Sequence, residues 1–122
     1  MNASDYLGKY AEGWSNGNVE TVMGSLADAY VMHDPNAGEI TKAGFTGYMN
    51  GVKNAVSAAG GGTSDGGLMT ISEVVTNEED GVLTAWCWWE VPGTPLKGGG
   101  LIKATASGVV SETLTYFTKL PE

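Results

Sequence analysis

Between Val82 and Val91 the chain reads Val-Leu-Thr-Ala-Trp-Cys-Trp-Trp-Glu-Val. A β-strand turns successive side chains to opposite faces, so an antiparallel strand with one wet face should alternate apolar and polar residues. This segment is apolar at both parities, with Trp86 and Trp88 on one and Cys87, Trp89 and Val91 on the other. The sheet that holds it must therefore be covered on both sides. Helices of the same chain supply one cover. A second copy of the chain is expected to supply the other, giving a homodimer through the sheet.

The helices are legible upstream. Tyr6, Leu7, Tyr10, Ala11 and Trp14 recur at three- and four-residue intervals, which predicts a helix from a Ser4 cap to about Ser15, stopped at Asn16-Gly17. Asn18 is expected to cap a shorter helix running to about Asp28. A strand over 29–34 follows and is closed by Asp34-Pro35, because proline cannot donate to a ladder. A turn over 35–40 leads to Thr41, the cap of a third helix to about Ala58 with Phe45, Tyr48, Met49, Val52 and Val56 on its apolar stripe. Gly44, Gly47 and Gly51 lie on that helix and mark either a close backbone approach or a loosely held element.

After the glycine-rich loop 59–67 the period becomes two. Strands are expected at 68–76, 82–91, 100–106 and 109–119, with an acidic turn at 77–81 and a loop at 91–99. The class is α+β: three N-terminal helices on one face of a strongly curved, mostly antiparallel sheet, all in one domain spanning 1–122.

Composition removes several functions. Six lysines, no arginine and fourteen acids give a formal charge of −8, the wrong sign for nucleic acid or an anionic membrane. Without arginine there is no bidentate clamp for carboxylate or phosphate. A single cysteine and a single histidine leave no metal-ligand set, and no metal or other cofactor is expected. Cys87, among tryptophans, reads as a packing residue. Loop 59–67 lacks the Gly-Lys-Ser/Thr ending of a phosphate loop. With no apparent leader and no stretch of about 20 apolar residues, a cytoplasmic setting is expected.

The aromatic first helix, the Asn16-Gly17-Asn18 break and a strand ending Asp34-Pro35-Asn36-Ala37-Gly38 resemble the nuclear-transport-factor-2-like superfamily, in its SnoaL-like and ketosteroid isomerase-like branch. The resemblance covers nearly the whole chain and implies a cystatin-like cone around a hydrophobic pocket. In ketosteroid isomerases a first-helix tyrosine donates to the developing enolate oxygen, and an aspartate at the end of the first strand moves the proton. Tyr10 and Asp34 stand in those two contexts. The second oxyanion donor of that family is a carboxylic acid near the final hairpin, where this chain has Gly98-Gly99-Gly100. The epoxide hydrolase and scytalone dehydratase branches would need an arginine or paired histidines. A cyclase, isomerase or lyase needs chiefly an acid/base carboxylate in an apolar cup.

The resemblance therefore implies Asp34 and Tyr10 as catalytic candidates. From strand parity, Tyr30 and Met32 share the pocket face with Asp34, while His33 faces away towards a packing or interface role. For Asp34 the alternative is an Asx-type cap on the turn at 36–38. The expected pocket lining is Trp14, Tyr48 and Met49 from the helices, with Met69, Trp86 and Trp88 from the sheet. Tyr116 and Leu114 join them from the last strand. Glu90 and Glu112 share parity with these residues; each is either an inward carboxylate of raised pKa or a solvated strand residue. Two functions stay open: a cofactor-free isomerase, cyclase or lyase on a small apolar carbonyl compound, and a non-catalytic dimeric protein holding an apolar small molecule.

Overall fold

The computed structural model describes residues 1–117. Three helices precede most of a six-stranded sheet: α1 (Ala3–Asn16), α2 (Val19–Met23), β1 (Leu26–Asp34), β2 (Gly38–Thr41), α3 (Lys42–Ala58), β3 (Thr70–Glu79), β4 (Val82–Glu90), β5 (Lys97–Thr105) and β6 (Gly108–Tyr116). The sheet order is β2-β1-β6-β5-β4-β3. Only β1 with β6 is parallel; the other pairings are antiparallel. Helix α1 packs over β5 and β6, and α3 over β1 and β2. The core between them is anchored by the fully buried Tyr10, Tyr30, Met32, Phe45 and Met49. This is the cystatin-like α+β architecture that the resemblance implied.

Local chemistry moves several boundaries. The cap of α1 is Asn2, not Ser4: Asn2 Oδ1 accepts from Asp5 N–H at 2.8 Å, and Asp5 Oδ2 accepts from Asn2 N–H at 3.0 Å. That reciprocal pair satisfies two orphan donors at once, which Ser4 could not do. Gly17 ends α1 at φ 69°, as the Asn-Gly break requires. Helix α2 stops five residues early, because β1 starts at Leu26. The expected turn 35–40 is a hairpin instead, with β2 pairing back on β1 from Asp34↔Gly38 to Val31↔Thr41. The acidic run Asn77–Glu79 is strand, and the turn is Asp80-Gly81, at φ 53° and 78°. Two positive φ values in a two-residue turn suit the right-handed twist of the flanking strands.

Two glycine groups resolve in opposite ways. Gly47 and Gly51 of α3 have open space where a side chain would sit, so no close backbone approach explains them. Gly98–Gly100 are not loop but the start of β5, paired on both sides by β4 and β6. A Cβ at Gly99 would overlap the Trp86 ring, and one at Gly100 would overlap the Glu112 carboxyl. The last strand was expected to reach Lys119, but residues 118 and 119 lie outside the described residues. Among the described residues, no helix is long and apolar enough to cross a membrane.

Candidate functional site

The cone between α1, α3 and the concave face of the sheet holds a cavity of about 180 Å³. From α1 it is lined by Leu7, Tyr10, Ala11 and Trp14, and from α3 by Tyr48, Val52 and Ala55. These positions recur every three or four residues, which is why one helical stripe serves both core and cavity. The sheet contributes Met32, Ala85, Cys87, Trp89 and Ile102 from its central strands, and Glu112, Leu114 and Tyr116 from β6. Met69, Ile71, Val74, Val91 and Leu96 complete the lining.

The expected lining is corrected at six residues. Trp86, Trp88 and Glu90 lie on the convex face, because the parity that turns inward in β4 is Leu83, Ala85, Cys87 and Trp89. Both parities are apolar, so periodicity alone could not choose. Packing chose: the large Trp86 ring settles over Gly99 on the outside, while the small Ala85 and Cys87 leave room inside. Tyr30 and Met49 are buried in the core behind the cavity rather than on its wall. Asp34 is also set back from the wall. His33 points to the convex face, its Nδ1 3.8 Å from Glu39 Oε1.

Two buried carboxyl groups flank the cavity in different environments. Glu112 is 5% exposed. The Tyr10 hydroxyl donates to its Oε1 and accepts from the Tyr30 hydroxyl at 2.7 Å. Burial pushes the Glu112 carboxyl from 4.5 to about 7, and the Tyr10 bond pulls back only part of that shift. Burial first, then the adjacent Glu112, drives Tyr10 well above the ordinary phenol range. Cys87 is pushed up to about 11 by burial and by Glu112, so it stays a thiol.

Asp34 is 6% exposed and lies at the other end. Its Oδ1 accepts from the backbone N–H of Asn36 at 2.8 Å and of Ala37 at 3.4 Å. Its Oδ2 accepts from the hydroxyls of Tyr48 at 2.7 Å and Tyr116 at 3.1 Å. Asp34 is thus both an Asx-type cap and the anchor of two cavity-lining phenols. Burial alone would raise its pKa, but the bonds from Tyr48, Asn36, Ala37 and Tyr116 outweigh it and hold it below the ordinary range. Burial and the neighbouring Asp34 raise both phenols.

The sequence reading left Glu112 open between two roles, and the fold assigns the inward one. The signal was present: Gly100 removes a side chain where the Glu112 carboxyl must lie. The glycines leave room for a carboxyl group from the adjacent strand. No three His, Cys, Asp or Glu side chains gather as a metal-binding group among the described residues. Trp14 Nε1, sealed from solvent, has no hydrogen-bond partner among the described residues.

No family model matches the sequence, and no curated protein matches it. Solved structures do. An NTF2-like protein of unknown function from Cytophaga hutchinsonii aligns with a TM-score of 0.62 at 13% identity, over 93% of this chain and 88% of that one. A putative polyketide cyclase from Pseudomonas putida aligns with a TM-score of 0.65 at 12% identity, over 96% and 92%. A protein of unknown function with a cystatin-like fold from Methylobium petroleophilum gives 0.65 at 13% identity, over 98% and 78%. At these identities the likeness defines the fold, which is NTF2-like, and leaves the chemistry to the site.

Proposed function

We propose that the cavity is the active site of a cofactor-free isomerase, cyclase or lyase that moves a proton on a small apolar carbonyl compound. The observation that carries this is the pair of carboxyl groups whose surroundings push them apart, Glu112 towards the neutral acid and Asp34 towards the carboxylate. Such a split is how one site holds an acid and a base at the same pH. The solved neighbours named putative polyketide cyclases make proton transfer beside a carbonyl a natural chemistry for this cone.

In this reading the Glu112 carboxyl, braced by Tyr10, donates to the carbonyl oxygen as enolate charge develops there. The proton leaving the adjacent carbon passes to a phenol oxygen at the other end, whose own proton moves to Asp34. One proton leaves carbon and one arrives on oxygen, so the enol forms with no net change in charge. Asp34 then acts through Tyr48 or Tyr116 rather than by touching substrate.

The test is exchange of the α-hydrogens of a bound small ketone in D2O, followed by NMR. Glu112→Gln should slow catalysed exchange by roughly 10²–10³, the usual loss when one oxyanion donor is removed. If ketones bind and no exchange is catalysed, the second reading stands: a binding protein. That reading is favoured by one observation, the occupation of both Asp34 oxygens by protein donors.

We also propose that a second copy covers the convex face. Trp88 and Leu101 there are 41% and 38% exposed, beside the partly covered Trp86. Lys97 pairs across from Glu90, and Lys103 shares that face with Glu39 on β2, so the face offers both signs of charge to its own copy on a strongly acidic chain. Sedimentation should give a dimer, and Trp88→Glu a monomer. A wild-type chain that sediments as a monomer would remove this assembly.

A further inference from the structure

We infer that the cavity takes an uncharged, single-ring molecule with a carbonyl oxygen at one end and a hydroxyl at the other. This rests on the reading of the cavity as the binding site and adds the class of molecule it accepts.

Size sets the first limit. An apolar cavity of about 150 Å³ accommodates benzene, and this one is about 180 Å³. One ring with short substituents fills it; a fused four-ring skeleton would have to project out of it. Shape agrees, because Trp89 and Tyr116 meet edge-on at 5.5 Å and 88° on one wall, an aromatic surface suited to a flat ligand.

Charge sets the second limit. No lysine lines the cavity, and the chain has no arginine. An anionic ligand would sit in an apolar cavity with no cation to pair with it and with the Asp34 carboxylate just behind the two phenols, and unpaired charge is costly there.

Hydrogen accounting sets the third. The protons of Tyr48 and Tyr116 are both donated to Asp34 Oδ2, so that end offers oxygen lone pairs and no free proton. It matches a ligand donor such as a hydroxyl, which one phenol oxygen accepts while the other stays free to take the α-proton. At the other end the Tyr10 proton goes to Glu112 Oε1, and Oε2 lies over Gly100 with no protein partner among the described residues. As a carboxylic acid, Glu112 has its own proton to give, which matches a ligand acceptor. Glu112, Leu114 and Tyr116 follow one another on the inner face of β6, so the acid and phenol ends are separated by an apolar side chain. The ligand is thus apolar in the middle and polar at opposite ends.

The experiment is titration of the whole chain, followed by tryptophan fluorescence and ligand-observed NMR, below the Glu112 midpoint of about 7. The probes are 4-hydroxyacetophenone, acetophenone, 4-hydroxybenzoate and a four-ring steroid ketone. 4-Hydroxyacetophenone should bind about tenfold more tightly than acetophenone, as one hydrogen bond of ordinary net strength gives. The benzoate and the steroid should each bind at least about tenfold more weakly. In Tyr48→Phe the preference for the hydroxylated ketone over acetophenone should shrink. Equal binding of the benzoate, or tighter binding of the steroid, would overturn the assignment. Binding in the expected order without α-hydrogen exchange would uphold the ligand class and remove the catalytic reading. Exchange catalysed only on larger ketones would do the reverse.

Discussion

Folding stability should fall by about 3 kcal/mol as pH rises from 4.5 to about 7, the interval between the ordinary and folded-state pKa of Glu112. The sign follows from which state holds the proton. Across that interval the unfolded chain has released it, while the folded chain keeps it on a carboxyl buried among apolar side chains. Raising the pH therefore favours the unfolded state until the folded group also ionises, after which the profile is flat. Asp34 has the opposite sign, since its pKa is lowered: its contribution is present above 3.8 and lost as pH falls through its folded value. Together the two place the stability maximum on the acid side of neutrality. Urea unfolding across this range measures the profile. Glu112→Gln keeps an acceptor for Tyr10 and carries no charge, so its profile should lose the slope, and the difference from wild type isolates Glu112 from the general acidity of the chain. Gly100→Ala should weaken the slope as well, because a Cβ there occupies the place of the carboxyl and swings it away from Tyr10. A wild-type slope unchanged in Glu112→Gln would mean that this carboxyl is solvated.

Asp34→Ala should destabilise the fold by about 3–5 kcal/mol. The substitution removes the acceptor that the hydroxyls of Tyr48 and Tyr116 share, and it frees the N–H groups that form the turn into β2. A half-buried phenol without a partner loses its hydrogen bond and recovers only part of its hydration, and bonds to a charged acceptor are among the stronger ones. Asp34→Asn keeps one oxygen and so should cost less, about 2 kcal/mol. Urea unfolding at a fixed pH near the stability maximum reads both. A loss below about 1 kcal/mol in Asp34→Ala would show that the phenols find water or other partners easily, and would remove Asp34 as their anchor. The two variants also bear on chemistry. If Asp34 receives the proton through a phenol, Asp34→Asn should abolish α-hydrogen exchange while binding persists.

The element order was legible because local chemistry writes it. The Tyr10–Trp14 stripe, the Asn-Gly breaks, the Asp-Pro stop and the switch to a period of two after residue 67 each act within a few residues. Tyr10, Trp14, Tyr48, Leu114 and Tyr116 were found for the same reason, since each sits on a stripe whose apolar face must point inwards. Errors gathered where local signals were balanced. Asn2 and Ser4 are both capping residues, and only the reach of Asp5 decides between them. Residues 35–40 were expected as a turn because the proline hides a hairpin that depends on a partner strand.

What the sequence determined by itself was the α+β class, the apolar character of both faces of β4, and the placing of Asp34 at the end of β1. What only the tertiary structure decided was which face of β4 looks inwards and which carboxyl enters the cavity. Strand parity sorts residues into two sets, but it cannot say which set meets the helices when both are apolar. That choice was made by contacts between strands far apart in the chain, as Trp86 settled over Gly99 on the outside. In the same way, the glycine at 100 acquires meaning only beside Glu112 of β6, whose carboxyl needs the space that a side chain there would fill.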